Sequence, residues 1–306
     1  MKVIYEALPS RRLECIATVG VFDGIHLGHR FIIRKIKKEC RHKGLSSLII
    51  TFDHPPEIFL KKPFAGYITN LKEKERLMQG LGIDYLWVLK TGPSVLKLTG
   101  EEFVAKILKH FKVKKFVVGQ DFRFGYRGRH DIHYLKHLAQ KHKFDLEVIK
   151  KRKKSGRMMS SSLIRDLIQK GEFKEAEKLL GRRYIVCGNV IRGIGIGKKM
   201  GFPTINFSPA KHVLPAPGVY GGYVRIANKS YCAAINIGTR PTISKSKRVV
   251  AEAHLVNFKK QLKVKTITLG FLGKVRKEKK FSSLKSLQKA IKKDIKIILK
   301  NYCIPS

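Results

Sequence analysis

Apolar and polar positions fall into two textures along the chain. Through about residue 150, short apolar runs bounded by turn residues alternate with amphipathic segments of helical period. The runs at 16–22, 45–52, 85–89, 115–118 and 144–149 predict strands, and 28–43, 71–80, 100–111 and 131–142 predict helices. In the first helix Ile32, Ile36 and Cys40 recur at spacing four, while Arg34, Lys35, Lys37, Lys38 and Arg41 take much of the remaining surface. Regular β-α alternation with short turns predicts a parallel sheet covered by helices, with ligands bound beyond the strand C-termini.

From about residue 181 the texture changes. Runs at 184–191, 219–226, 231–237, 249–256 and 265–271 predict strands separated by Gly, Pro and Asn, with no helices between them. This predicts an antiparallel barrel or sandwich. A last helix follows, with Leu284, Leu287, Ile291, Ile295 and Ile298 on one stripe and lysines elsewhere. Two helical segments, 161–170 and 173–180, connect the textures and are punctuated by Gly171 and Gly181. The boundary is placed at Gly181, giving domains of 1–181 and 182–306. No internal repeat or low-complexity segment is present.

Composition narrows the classes. In 306 residues no apolar run approaches the roughly 20 needed to span a bilayer. The N-terminus has no apolar leader core and runs into Arg11 and Arg12, so a cytoplasmic location is expected. Five scattered cysteines (Cys15, Cys40, Cys187, Cys232, Cys303) never take C-x-x-C spacing, which predicts buried or free thiols and no zinc site. The 65 Lys+Arg against 22 Asp+Glu give a net charge of +43. Such a field attracts polyanions, but the basic stretches at 30–43, 136–157 and 259–300 spread it along the chain. General basicity fits that spread better than a dedicated patch, and no specific nucleic-acid partner is expected.

Candidate chemistry in the first half centres on the end of the first apolar run. It stops at a turn with Asp23, Gly24 and Gly28, where His26 and His29 stand at the start of a basic helix. A helix N-terminus after a glycine turn can offer backbone N–H groups to an anion, and histidines add donors to a phosphate. The plainer reading is a pair of helix-start histidines that cap carbonyls or face solvent. Further on, Asp121, Phe122, Arg123, Phe124 and Gly125 end another strand. Those aromatics could stack on a planar ring beside an arginine, or simply pack into the core. Ser160, Ser161 and Ser162 open a helix ahead of Arg165; they read as N-caps or as part of a triphosphate grip.

In the second half Gly188, Gly193, Gly195, Gly197 and Gly201 crowd a segment with Lys198 and Lys199. Close glycines let backbone approach phosphate, or serve as turns in a β domain. Thr204 and Asn206 then lie two residues apart on one side of an extended segment, as hard oxygen ligands suited to Mg²⁺. Glu252 stands in an apolar strand, as a solvated edge group or a general base.

Together these segments resemble the bacterial bifunctional riboflavin kinase/FAD synthetase family over nearly the whole chain. The family pattern G-x-F-D-G-x-H-x-G-H is met by Gly20, Phe22, Asp23, Gly24, His26, Gly28 and His29. G-x-D-F-x-F-G is met by Gly119, Asp121, Phe122, Phe124 and Gly125. The kinase marks G-F-P-T-A-N, G-V-Y, N-x-G-x-R-P-T and R-x-E-x-x-F stand at 201–206, 218–220, 236–242 and 276–281, with Ile205 for the alanine. There are departures: Ser162 and Leu163 where threonine and arginine are common, His130 for a glycine, His54 exchanged with proline, and Lys198 for arginine. Lys263 and Val264 replace a Y-G pair.

The resemblance implies a Rossmann-like nucleotidyltransferase α/β domain followed by an antiparallel β-barrel kinase domain with a terminal helix. It implies phosphorylation of riboflavin to FMN and adenylylation of FMN to FAD, with ATP as co-substrate and Mg²⁺ as cofactor. His26, His29 and Glu252 would be catalytic. Gly20, Phe22, Gly24, Gly28, Ser161, Arg165, Gly193, Gly197 and Lys198 would bind ATP. Asp121, Phe122, Phe124 and Arg276 would bind flavin, and Thr204 and Asn206 the metal. Partners would be ATP, riboflavin and FMN, with FMN and FAD delivered to apo-flavoproteins and no membrane involved. Two rivals stand beside it: a kinase whose adenylylating half is silenced around Leu163 and His130, and a nucleic-acid-binding protein on a nucleotidyltransferase scaffold.

Overall fold

The computed structural model describes residues 1–5, 12–59, 64–150, 153–154, 156–192, 197, 200–227, 229–240, 248–258 and 264–303. The chain divides into two compact units, one of residues 1–65 and 69–161, the other of 66–68 and 162–306.

The first unit runs β1 (Lys2–Ile4), β2 (Leu13–Val19), α1 (Leu27–Lys43), β3 (Ser46–Phe52), α2 (Pro56–Phe59), α3 (Leu71–Gly80), β4 (Tyr85–Leu89), α4 (Pro93–Leu96), α5 (Gly100–His110), β5 (Phe111–Gly119), α6 (Ile132–His142) and β6 (Asp145–Ile149). A short ribbon, β7 (Lys153–Lys154) and β8 (Arg157–Met158), follows. The six main strands form one sheet in the order β1-β4-β3-β2-β5-β6, and every pairing is parallel. Side chains alternate between two cores, as the period of two requires. Leu48, Ile50, Trp87, Phe116 and Val118 enter one core with Phe103, Val104 and Leu135 of α5 and α6. Ile49, Leu86, Val88 and Val117 enter the other with Ile33, Ile36 and Cys40 of α1 and Met78 of α3. On α1 the fully buried stripe is therefore Ile33, Ile36 and Cys40, with Ile32 at its margin.

Strand order reverses between β2 and β5, where the chain leaves to opposite sides of the sheet. That switch point opens a crevice beyond the two strand C-termini. The segments that follow β2 and β5 are the histidine turn and the aromatic loop.

The second unit comprises α7 (Ser161–Lys170), α8 (Phe173–Leu180), six strands and α9 (Leu284–Asn301). The strands are β9 (Ile185–Ile191), β10 (Thr204–Ser208), β11 (Gly218–Ile226), β12 (Lys229–Arg240), β13 (Arg248–Leu255) and β14 (Thr266–Lys277). They close an antiparallel barrel in the order β10-β13-β12-β11-β14-β9. Phe207, Tyr220, Ile235, Ile237, Ala251, Ala253 and Leu269 fill its interior.

The compact units divide at Ser161/Ser162, where the connector helices pack with the barrel: Phe173 of α8 lies 5.2 Å from the Phe271 ring and 5.7 Å from Tyr220. Gly181 marks where the β texture begins. Two expectations are revised. Residues 20–22 belong to the turn and not to the strand, since β2 ends at Val19. Cys232 and Cys303 form a disulfide with a Cα–Cα distance of 5.2 Å, whereas free thiols were expected. The cause lies in distant packing: the Tyr302 ring occupies the space over Gly221 and Gly273 that a Cβ would take, which docks the end of α9 and sets Cys303 beside β12. Cys15, Cys40 and Cys187 are not part of that disulfide, and burial pushes the Cys15 and Cys40 thiols up to about 12 and about 11.

Candidate active sites

In the first unit the chain leaves β2 through Gly20 and makes a turn with three left-handed residues, Phe22 (φ 49°), Gly24 (φ 84°) and Ile25 (φ 39°). A β-branched residue there is strained by about 1–3 kcal/mol. The strain is offset by burial, with Ile25 and Phe22 sunk in the core. Asp23, also buried, ties the turn down: its Oδ1 accepts from the Thr69 backbone N–H at 2.9 Å, and the Gly24 N–H donates to Thr69 Oγ1 at 2.9 Å. Ser161 Oγ donates to the Asp23 carbonyl at 2.9 Å. The serine expected as a cap or phosphate ligand thus fastens the turn.

His26 is the N-cap of α1. Its Nδ1 accepts from the N–H groups of Gly28 (3.1 Å) and His29 (3.4 Å), so its ring proton is on Nε2. Those two backbone donors, expected to be open to an anion, are taken by the imidazole. The donor left for a phosphate is the ring itself. His29 stacks on His26 with centroids 3.7 Å apart and meets Phe22 edge-on at 5.1 Å. Burial first, then the His26 ring and the Lys74 ammonium, hold the His29 imidazole well below its usual value, so it is neutral at neutral pH. Two neutral imidazoles stacked at a helix N-terminus can donate hydrogen bonds to an anion without paying to bury a second charge.

After β5, Phe122 and Phe124 stack with centroids 5.3 Å apart. Phe124 is the core member, 5% exposed and facing Phe103, while Phe122 is half-buried. His130 pairs with Phe124 through both backbone hydrogen bonds, 3.0 and 3.1 Å, and stacks on Tyr134. Its φ is not left-handed, so the position does not require the glycine it replaces. Gly125 (φ 73°) does need to be glycine: a Cβ would lie 2.7 Å from the Gly100 nitrogen. One cavity of about 730 Å³ is lined by Gly20 and Val21 of the turn and by Asp121, Phe122, Arg123 and Phe124 of the loop. The fold brings these two sequence segments together at the switch point.

In the second unit, alternation decides the site. On β13, Ala251, Ala253 and Leu255 face the barrel interior, leaving Glu252 and His254 on the outer face. Register puts Asn206 of β10 and Asn236 of β12 on either side of Glu252, and Thr204 beside His254. These five residues line a cavity of about 370 Å³ whose far wall is Leu287, Ile291 and Asp294 of α9. Gly197 lies over Thr204, where a Cβ would meet the Phe202 carbonyl at 2.4 Å. Arg276 lines the same cavity. Its Nε is 3.0 Å from both Asp294 carboxylate oxygens, so the guanidinium braces α9. Thr204 and Asn206 present hard oxygens beside a carboxylate, a set that fits Mg²⁺ carried in on nucleotide phosphates. No cluster of three His, Cys, Asp or Glu able to hold a metal unaided occurs among the described residues.

Gly193 and Lys198 lie outside the described residues. Arg165 belongs to the second unit, where its Nε donates to the Gly66 carbonyl at 3.2 Å. Two residues at the sites escaped the sequence reading. Lys74 of α3 is buried beneath the histidine turn, and nothing in a run of charged residues singled it out. His254 shares a face with Glu252 through the period of two, a signal the sequence did carry. Its Nδ1 donates to the Pro203 carbonyl at 2.9 Å.

Residues 8–163 match the family described as FAD synthetase, and residues 180–302 the family described as riboflavin kinase. The bifunctional riboflavin kinase/FMN adenylyltransferase of Escherichia coli (strain K12) is 32% identical over 283 residues, covering 92% of this chain and 90% of that protein. The protein of the same description from Buchnera aphidicola subsp. Acyrthosiphon pisum (strain APS) is 34% identical over 293 residues, 94% of each. A solved structure described as a macrolide-efflux protein from Streptococcus pneumoniae is similar with a TM-score of 0.86 and 27% identity, covering 98% of this chain and 99% of that one. No helix among the described residues is long and apolar enough to cross a membrane.

Proposed function

The chain belongs to the family of bifunctional riboflavin kinase/FMN adenylyltransferases, and on that premise we propose which of its residues carry the two reactions. It is an ATP-dependent transferase with a riboflavin kinase half and an FAD synthetase half. The assignment of residues rests on one observation: Gly197, Thr204, Asn206, Glu252 and Arg276 line one cavity on the outer face of the barrel, and at the switch point of the sheet Gly20 of the histidine turn lines a cavity with Asp121, Phe122 and Phe124.

On the barrel, Glu252 takes the proton from the riboflavin 5′-hydroxyl as its oxygen attacks the γ-phosphorus of ATP, and ADP leaves. Asn206 and Thr204 would hold Mg²⁺, which when bound supplies positive charge to the nucleotide phosphates. Gly197 lies along the nucleotide, and Arg276 holds the α9 wall against the flavin. At the sheet, an FMN phosphate oxygen attacks the α-phosphorus of a second ATP, and pyrophosphate leaves. The His26 and His29 N–H groups stabilise charge on the ATP phosphates. Gly20, Phe22, Gly24 and Gly28 shape the turn that presents them, and Ser161 fastens it through the Asp23 carbonyl. Phe122 meets the flavin ring, with Phe124 behind it and Asp121 at the cavity edge.

The products serve apo-flavoproteins, and a cytoplasmic location fits enzymes that spend two ATP per FAD. Purified protein incubated with riboflavin, ATP and Mg²⁺ should yield FMN and then FAD by chromatography. His29→Ala should stop at FMN. Glu252→Ala should make FAD only when supplied with FMN. If His29→Ala makes FAD at the wild-type rate, or Glu252→Ala phosphorylates riboflavin normally, the corresponding assignment is wrong.

A further inference from the structure

Lys74 is 5% exposed, an unusual place for an ammonium, and it stands on the inner face of α3 beneath the histidine turn. Its Nζ donates to the Val21 carbonyl at 2.8 Å, to Thr51 Oγ1 at 3.1 Å and to the Phe52 carbonyl at 3.2 Å. Three donors therefore meet three acceptors. The Thr51 hydroxyl in turn donates to the Val21 carbonyl at 3.2 Å, closing a small ring of hydrogen bonds. Every acceptor lies at the exit of β2 or the end of β3, the two strand ends that frame the turn.

That placement has an electrostatic consequence. Strand C-termini direct carbonyl oxygens toward the crevice where phosphates have to sit, and those oxygens repel an anion. An ammonium held behind them draws the carbonyl dipoles inward and adds positive charge beneath the site. It also joins Val21, the residue before left-handed Phe22, to the neighbouring strand. A cation so deeply buried costs free energy.

We propose that Lys74 is a positioning residue for adenylyl transfer, its ammonium clamping Val21 to the end of β3 so that the strained turn holds His26 and His29 toward ATP. This rests on the assignment of adenylyl transfer to that turn. The charged and titratable groups around the ammonium are Asp23 in the turn, Asp53 just beyond β3, Glu75 on its own helix and His29 on α1. Burial outweighs the three carboxylates and pushes the ammonium down to about 8. As pH rises through that value, Lys74 loses its proton and one donor, and the clamp loosens. The barrel reaction has no such dependence on it.

The test measures FMN adenylylation and riboflavin phosphorylation separately in the full chain, for wild type, Lys74→Met and Lys74→Arg, from about pH 6.5 to about pH 10. Lys74→Met is expected to lower kcat for adenylylation about 10²-fold, with little change in KM for FMN and none in phosphorylation. Wild-type adenylylation should decline above about pH 8, and Lys74→Arg, which stays charged, should carry that decline to higher pH. Wild-type adenylylation by Lys74→Met overturns the proposal, and so does an alkaline limb that Lys74→Arg leaves in place. Should either variant fail to fold, the wild-type profile decides alone: a rate that stays flat through the alkaline range overturns it. A wild type that makes no FAD would instead sink the assignment of adenylyl transfer itself.

Discussion

His29 holds a proton less tightly in the folded protein than in the unfolded chain, because its ring is shielded and faces His26 and the Lys74 ammonium. In the window below the usual 6.5 the unfolded chain therefore binds more protons, and folded stability falls as pH drops through it. Thermal unfolding of wild type between about pH 5 and about pH 7 should show this loss, and His29→Gln should show a shallower one. An equal slope in both would mean His29 is not held neutral. Lys74 acts in the same direction at alkaline pH. Its folded value of about 8 against 10.5 corresponds to a cost of about 3 kcal/mol at neutral pH, relieved as pH rises between the two. The folded turn thus gains stability in the range where adenylyl transfer should decline, which separates a catalytic clamp from a merely structural one. The place of His26 and His29 at the start of α1 was legible in the sequence because it depends on local turn chemistry. Lys74 was not, because its three acceptors come from other elements, and on α3 it is one charged residue among Lys72, Glu73 and Glu75.

Among the elements, α1 begins at the stacked histidines and α9 walls the barrel cavity. The N-terminus of α1 depends on Gly28, whose added Cβ would sit 3.0 Å from the His26 ring and 3.1 Å from its Nδ1. Gly28→Ala should displace the cap, costing about 1 kcal/mol of stability and about tenfold or more in the adenylylation rate. Full adenylylation activity in that variant would contradict the capping geometry. The docking of α9 has three parts: Tyr302 over Gly221 and Gly273, the Arg276–Asp294 pair at 2.9 Å, and the disulfide. Closing a loop of 71 residues stabilises the unit by about 4 kcal/mol in the chain-entropy model. Reduction with dithiothreitol should therefore lower the Tm of the second unit. KM for riboflavin should shift by less than about threefold, since the other two contacts still hold the wall. A larger rise in KM would mean that the disulfide, and not the packing, holds α9 in place. Element positions followed the sequence where the pattern was long, as in β4 and α3. The three-residue β1 was missed, since too few apolar positions alternate in it, and β10 was read only as an extended segment around Thr204 and Asn206. The cysteine pair was invisible because its geometry comes from Tyr302 and two distant glycines. The outward direction of Glu252 follows from the period of two alone.

For the whole molecule, the first compact unit holds the histidine turn and the aromatic loop, and the second holds the outer face of β13 with Glu252. The first reaction makes the substrate of the second. His130, read in sequence as a departure near the flavin loop, fits its backbone pairing with Phe124, so the loop closes without the usual glycine. The net charge of +43 favours anionic nucleotides in both units and weakens with salt. Its size exceeds what those ligands require, and nothing in the structure explains the excess. The central claim is that the turn after β2 and the outer face of β13 carry separate, sequential chemistries in one chain. The most direct measurement follows FMN and FAD by chromatography after riboflavin, ATP and Mg²⁺ are added to wild type, His29→Ala and Glu252→Ala, with a parallel incubation from FMN. The account predicts FMN then FAD from wild type, FMN alone from His29→Ala, and FAD from Glu252→Ala only when FMN is supplied. FAD from riboflavin in either variant at the wild-type rate would contradict it.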